Sequence, residues 1–216
     1  MEIKYLGHSA FEIESREKKF LIDPFLACYP KYRAENISDI FVTHAHSDHL
    51  GSAIEISKRT SAPITAIFEL ANYCARRGAK ATDIGLGAWH EYDWGRAAAV
   101  PAFHSSSTPD GNYGGMPCGF VFELEGKVIY HAGDTCLTSE MRTIGEVYQP
   151  DISMLPIGGR YTMDIEHAVI AAEWLGSSEV IPMHYNTFKN IKVNIADFER
   201  QIREIGKIPR VLKIGG

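Results

Sequence analysis

Three histidines and one aspartate fall within six residues, directly after the apolar segment 40–42. The apolar run predicts a strand, and alternate residues of an extended chain share a face, so we expect His44, His46 and Asp48 to lie on one side. Asp48 stands where a helix N-cap would stand, and a turn there brings His49 to the same place. Without an ion, imidazoles packed this closely would be desolvated and would repel one another. The segment therefore predicts a metal site.

Composition narrows the class of protein and of partner. A chain of 216 residues with 45% hydrophobic and 23% charged residues predicts one globular domain, residues 1–216. The net charge of -5 and the lack of a basic run disfavour nucleic acid as a partner and favour a small-molecule substrate. With neither a leader pattern nor an apolar segment long enough to cross a bilayer, we expect a cytoplasmic protein with no membrane partner; a homo-oligomer is possible.

Hydrophobic patterning predicts a chain rich in short strands. The first three strands read as an antiparallel meander, and both halves of the chain pass from strands to helices. The predicted strands cover residues 3–5, 10–14, 20–24, 40–42, 64–68, 82–84, 89–103, 119–124, 127–130, 152–155, 180–182 and 211–214, and the predicted helices cover 50–59, 69–77, 138–148, 164–175 and 195–205. This order suggests two sheets packed together with helices outside.

Three further residues have the sequence context of metal ligands. His104, Asp134 and His184 each follow a predicted strand and precede a loop or turn, where a rigid scaffold can hold a functional group. Together with the four candidates of the central turn they provide seven donors, enough for two divalent ions. Imidazole and carboxylate ligands suit zinc first, with manganese, nickel or iron as alternatives.

The motifs and their order resemble the metallo-β-lactamase superfamily: H-x-H-x-D-H, a later His, a G-D-T turn and a final M-H. More narrowly, the chain is similar to a UPF0173-like branch of small metal-dependent hydrolases related to ascorbate 6-phosphate lactonase. The motifs of that branch are Gly-His-Ser at 7–9, His-Ala-Gly-Asp-Thr at 131–135, Pro-Ile-Gly-Gly at 156–159 and Pro-Met-His-Tyr-Asn-Thr-Phe at 182–188. The resemblance covers essentially the whole chain and implies an α+β fold, a four-layer αββα sandwich.

The resemblance also implies how the donors are shared between two ions. It assigns His44, His46 and His104 to one ion and Asp48, His49 and His184 to the other, with Asp134 as the bridge. A carboxylate is the only one of these groups with two oxygens to share. Of the remaining histidines, we expect His90 and His167 at the surface and His131 packed behind the ligands.

Two ions that share a water can generate a hydroxide at neutral pH, so the leading hypothesis is a binuclear hydrolase that cleaves an ester, lactone or phosphodiester. Asp48 is a catalytic candidate because it can accept or orient the proton of that water. His8 is a second one if its ring faces the pocket, but the Gly-His-Ser turn can also be purely structural. Arg160 and Asn186 are candidate substrate contacts, with a surface salt bridge and a turn role as their alternatives.

Three other functions are alternatives to hydrolysis of a small substrate. A redox di-iron site of the flavodiiron kind would have Glu in place of His46, which disfavours it. A nucleic-acid phosphodiesterase of the tRNA-processing kind uses similar ligands, but the unfavourable charge and the short segment between Asp134 and His184 argue against it. A non-catalytic metal-binding or sensor protein is the third, although structural zinc sites are usually closed by four ligands, often cysteine.

Overall fold

In the computed structural model, which describes residues 1–216, two β-sheets pack face to face. The strands of the first sheet are β1 (Glu2–Gly7), β2 (Ala10–Ser15), β3 (Lys18–Ile22), β4 (Ile37–Phe41), β5 (Ile64–Ala66) and β6 (Ala81–Asp83). Those of the second sheet are β7 (His90–Tyr92), β8 (Gly95–Pro101), β9 (Cys118–Leu124), β10 (Lys127–His131), β11 (Ile152–Pro156), β12 (Glu179–Met183) and β13 (Ile208–Pro209). The predicted pair of sheets is confirmed.

Each sheet begins as an antiparallel meander and continues with parallel strands. In the first sheet β1, β2 and β3 are antiparallel neighbours, as predicted, and β3 to β6 are parallel neighbours. In the second sheet β7 to β10 are antiparallel and β10 to β13 are parallel. Parallel neighbours need crossover connections, and these connections carry the helices.

Six helices flank the sheets: α1 (Ser47–Leu50), α2 (Ala53–Thr60), α3 (Phe68–Arg76), α4 (Glu140–Tyr148), α5 (Ile165–Leu175) and α6 (Ile195–Glu204). Helices α2 and α3 pack on the outer face of the first sheet. Helix α5 contacts β11, helix α6 contacts β13, and α4 packs on α5. The expected α+β sandwich is confirmed. No helix combines the length and the apolar composition that crossing a bilayer requires.

Alternating side chains of the central strands fill two separate cores. Phe20 and Phe41 point between the sheets, where the Phe41 ring lies 5.2 Å from that of Phe120, whereas Leu21 and Ile40 point to the α2 and α3 layer. Each fully buried side chain of this size contributes about 1.5–3 kcal/mol through removal of apolar surface from water. Because both faces of the first sheet are buried, its strand ends are held rigidly.

The central turn differs from its prediction. Asp48 was expected to extend the strand and to cap a helix over residues 50–59, but it lies in the first turn of α1, and His46 is the N-cap residue. An acidic side chain in the first turn is favoured by the helix dipole, which explains the earlier start. Gly51, with φ 44°, then separates α1 from α2. A side chain does not fit at this position, because a Cβ at Gly51 would collide with the carbonyl oxygen of Pro24.

Two predicted strands also end differently. The strand expected over residues 64–68 stops at Ala66, because Phe68 already begins α3. The final strand expected over residues 211–214 is wrong: β13 is Ile208–Pro209, and Ile214 forms only an isolated bridge to Tyr5. The apolar side chains at 211 and 212 pack against the core instead of marking a paired strand.

Candidate metal centre

All seven predicted ligands and His8 come from one edge of the sandwich. Strands β1, β3 and β4 run in the same direction within the first sheet, as do β8, β10 and β12 within the second. The residues in question follow the carboxyl ends of these strands: His8 after β1, His44 to His49 after β4, His104 after β8, Asp134 after β10 and His184 after β12. The two sheets therefore contribute to a single cluster.

The first group of donors consists of His44, His46 and His104, whose ligand atoms all lie within 4.8 Å of one another. Nε2 of His44 lies 2.9 Å from Nδ1 of His46. The His104 ring stands edge-on to both, with centroids 5.2 and 5.1 Å away. These are the three side chains that the resemblance assigns to one ion.

The second group of donors consists of Asp48, His49 and His184, joined by His8. Nε2 of His8 lies 3.1 Å from Oδ2 of Asp48, and Nε2 of His184 lies 4.0 Å from the same oxygen. His49 is fully buried, whereas 28% of the Asp48 side chain is exposed. Asp48 is therefore the most accessible acidic group of the cluster.

Asp134 lies between the two groups. Its Oδ1 is 3.2 Å from Nε2 of His49, and its Oδ2 is 3.1 Å from Nε2 of His184 and 3.6 Å from Nε2 of His104. The carboxylate thus faces one histidine of the first group and two of the second. The two oxygens of Asp134 therefore lie close to histidines of both groups.

Three buried side-chain atoms in this cluster lack a hydrogen-bond partner: Nε2 of His49, Oδ1 of Asp134 and Nδ1 of His184. Nδ1 of His49 must carry the proton, because it lies 2.7 Å from Oδ2 of Asp23, and a carboxylate can only accept. In the neutral form of His49, which is the form that binds a metal, Nε2 therefore presents a lone pair toward an Asp134 oxygen that also has only lone pairs. Unpaired buried acceptors are costly, and a cation between them would satisfy both. The residues present fit a metal ion.

Asp23 supports the cluster and was missed by the sequence analysis. It is fully buried at the end of β3, and it also accepts hydrogen bonds from the backbone N–H and the hydroxyl of Thr43, at 2.8 and 2.7 Å. Since the Thr43 proton points to Asp23, the Thr43 oxygen can accept from Nδ1 of His44, 3.1 Å away. Such carboxylate contacts fix the tautomer of metal-binding histidines. The available signal was a charged residue at the end of an apolar strand.

Burial lowers the pKa values of the three histidines in the first group. The effect is strongest for His44, because the charge of the nearby His49 lowers its pKa further. The pKa values of His46 and His104 are also lowered by burial, against the opposing charges of Asp48 and Asp134 respectively. A neutral imidazole is the form that binds a metal. These three side chains are therefore held in the ligand form near neutral pH.

Charge pairing sets the protonation of the second group. Burial alone would lower the pKa of His49, but the charges of Asp134 and Asp23 raise it well above its ordinary value. Burial alone would raise the pKa values of Asp134 and Asp48, but the neighbouring histidines lower both. In the absence of a cation, a proton on His49 compensates the buried carboxylates, which indicates that this location favours positive charge.

Three residues in the loops around the cluster have a strained backbone. His8, Asp23 and His184 have φ values of 58°, 45° and 53°, in the left-handed region that non-glycine residues rarely adopt. The N–H of His184 donates to the carbonyl oxygen of His8 at 2.7 Å, which ties two of these strained turns together. Strain of this kind persists where the surrounding structure holds it, commonly at functional sites.

The other predicted residues have varied positions. His90 and His167 are exposed, as predicted, and His131 is buried with Nε2 3.0 Å from the carbonyl oxygen of Ser9. Arg160 is exposed and forms no hydrogen bond or ion pair with the cluster; its guanidinium lies 5.4 Å from the Tyr161 ring. Asn186 has a turn role, since its side-chain oxygen accepts from the N–H at 193 at 2.9 Å. A substrate role for Arg160 and Asn186 stays a prediction.

Comparisons with known proteins extend over nearly the whole chain. A family model described as the beta-lactamase superfamily domain matches residues 2–184. The chain is 45% identical to a UPF0173 metal-dependent hydrolase from Thermus thermophilus, over 100% of this chain and 97% of that protein. It is 41% identical to one from Bacillus cereus, over 96% of each. Among solved structures, Igni18, a metallo hydrolase from Ignicoccus hospitalis, superposes with a TM-score of 0.90 at 37% identity and covers 99% of this chain and 95% of its own.

Proposed function

We propose that the cluster of histidines and aspartates holds two divalent ions, because the chain belongs to the metallo-β-lactamase superfamily and is a metal-dependent hydrolase. His44, His46 and His104 would hold one ion, Asp48, His49 and His184 the other, and Asp134 would contact both. The observation that carries this proposal is that the buried Nε2 of His49 lies 3.2 Å from the buried Oδ1 of Asp134, and neither atom has a hydrogen-bond partner. Zinc is the first candidate for this donor set, with manganese, nickel or iron next.

Two such ions would supply a water that ionises near neutral pH and a positive charge where the reacting group becomes negative. The protein residues provide the rest. Asp48 is partly exposed, and its pKa is lowered by the hydrogen bond from His8 despite burial, so it is ionised at neutral pH. We propose that Asp48 orients the attacking water or accepts its proton, and that His8 orients the Asp48 carboxylate through its contact with Oδ2.

For the substrate, we propose a small molecule with an ester, lactone or phosphodiester bond. The net charge of -5 supports a small substrate over nucleic acid, whose backbone binds basic surfaces. Arg160 follows β11 and Asn186 follows β12, at the same edge of the sandwich as the cluster. We therefore propose both as substrate contacts. We propose a cytoplasmic location for this activity.

Elemental analysis joined to a substrate panel tests the proposal. Purified protein should hold two divalent ions per chain and hydrolyse at least one of a set of lactones, esters and phosphodiesters. Asp134→Ala should lose metal and hydrolysis together, because it removes the group that faces both histidine sets. His104→Ala should also lose metal, whereas the matched change at the exposed histidine, His167→Ala, should change neither. One ion per chain, or full metal-dependent turnover in Asp134→Ala, would contradict the binuclear assignment.

A further inference from the structure

A cavity of about 510 Å³ adjoins the cluster and shares the side chain of His8 with it. This volume falls within the range of small-molecule sites, which is roughly 300–1,000 Å³. The walls are mainly apolar and aromatic, with Tyr5, Phe25, Tyr185, Phe188, Leu212 and Ile214 among the lining residues. None of these residues belongs to the seven proposed ligands.

The lining of the cavity has no Asp, Glu, Lys or Arg. Its polar groups are few, among them the Thr187 hydroxyl, the Asn186 amide and the Cys28 thiol. Four other cavities of the molecule differ from this one, because each is lined by several charged side chains. A charged group placed here would lose its hydration without gaining a partner, whereas an aromatic or alkyl group would be favoured.

His8 connects this cavity to the cluster. Its Nε2 lies 3.1 Å from Asp48, and its Nδ1 lies 3.1 Å from the hydroxyl of Thr187, which lines the cavity. The rings of Phe25 and Phe188 flank the His8 ring, with centroids 5.7 and 5.3 Å away. Phe25 lies two residues after Asp23 and Phe188 four residues after His184 in sequence, so the loops that shape the cluster also shape the cavity.

We propose that this cavity is a substrate subsite, which takes an uncharged aromatic or alkyl group of the ester or lactone cleaved at the cluster. The inference rests on the proposed function, since it names the part of the substrate that lies beside His8. The preferred substrates of this hydrolase then carry an apolar group close to the scissile bond.

A binding experiment that needs neither metal nor turnover tests occupancy of the cavity. Cys28 lines the cavity and is half-buried, Cys136 is exposed, and the other two thiols are buried. Burial raises the pKa of Cys28, so alkylation by iodoacetamide is followed at about pH 8.5, where more of the thiol is ionised. The non-hydrolysable probe phenylacetamide should slow Cys28 alkylation about fivefold at several times its Kd, and leave Cys136 unaffected as an internal control. An unchanged Cys28 rate at saturating probe would overturn the proposal.

A pair of substitutions tests the link between cavity and reaction. Ile214→Asp places a charge in the wall at a side chain that is already 49% exposed, and Ile208→Asp makes the same change at a 59% exposed position that does not line the cavity. The measured quantity is the ratio of kcat/KM for p-nitrophenyl phenylacetate to that for p-nitrophenyl acetate. Ile214→Asp should lower this ratio about tenfold, as expected for a hydrophobic pocket that loses its preference. Ile208→Asp should leave it unchanged.

The outcomes separate the subsite from the proposed function. If metal-loaded protein cleaves no ester, lactone or phosphodiester, the proposed function fails, while Cys28 protection still decides whether the cavity binds an apolar group. If phenylacetamide protects Cys28 but neither competes with ester hydrolysis nor loses binding in Ile214→Asp, the cavity is not a substrate subsite. Protection, competition and the change in selectivity together support the assignment.

Discussion

His8 combines a strained backbone with contacts on both sides of its ring. Its φ is 58°, its carbonyl oxygen accepts from the N–H of His184, and its two ring nitrogens contact Asp48 and Thr187. The sequence left open whether this residue is structural or faces the pocket. Both descriptions apply to His8, because the turn that it forms also directs its Nε2 toward Asp48.

Replacing His8 with Asn should separate positioning from metal binding. Asn tolerates the left-handed conformation, so the turn is retained while the contact with Asp48 is lost. We expect two ions per chain and a kcat lowered about 10–100-fold, the usual effect of removing a group that orients a ligand, with little change in KM. His90→Asn, the same change at an exposed histidine, serves as the control. Loss of one ion in His8→Asn would instead identify His8 as a ligand.

Most of the cluster was predictable from sequence because its members are chemically distinctive and follow strands. His44, His46, Asp48 and His49 are close together in the chain, and the others stand at strand ends. Asp23 was not predictable in the same way. Its role depends on how β3 and β4 pair side by side, which places its carboxylate beside Thr43 and His49, and no spacing in the sequence reports that register.

Among the elements, the strands with clear alternation and the longer helices were predicted within a few residues. The errors fall where neighbouring elements decide the outcome. Residues 211–214 do not form a paired strand, because only residues 208 and 209 pair with β12 and only Ile214 bridges to Tyr5 in β1 of the other sheet. Asp48 lies in a helical turn instead of an extended chain because α1 begins at Ser47, three residues before the predicted helix start at residue 50.

The loop after β11 must approach the loop after β12 closely. A Cβ on Gly158 would collide with the carbonyl oxygen of His184 and would lie 2.9 Å from the Cβ of Ile191. We expect Gly158→Ala to lower the free energy of unfolding by about 1–3 kcal/mol, as overpacking usually does, and to weaken metal binding by moving His184. Urea denaturation and metal titration measure the two effects.

Gly85→Ala is the matched control for this prediction. A Cβ on Gly85 meets no atom within 4 Å, and its φ lies outside the left-handed region. Its free energy of unfolding should change by less than about 0.5 kcal/mol, the usual range for a surface substitution. Equal stability of the two variants would mean that the close approach at Gly158 relaxes without cost.

At the scale of the whole molecule, removal of metal should lower stability. The cluster buries carboxylates and imidazoles that a cation would neutralise, and a ligand that binds only the folded state stabilises it by about 2.7 kcal/mol at 100 times its Kd. For a chain of this size we expect the Tm to fall by about 5–10 °C after chelation and to rise again with added zinc. Asp134→Ala should show no such response. A Tm that is the same with and without metal would contradict the proposed site.

The first sheet supplies His8, the carboxylate of Asp23 and the whole central turn, while the second supplies His104, Asp134 and His184. Ion affinity consequently depends on how closely the two sheets pack against each other. A conservative change among the phenylalanines between the sheets, none of which is a proposed ligand, should weaken ion retention before circular dichroism detects a loss of strand or helix. Chelator competition would then serve as a sensitive assay of internal packing in this fold.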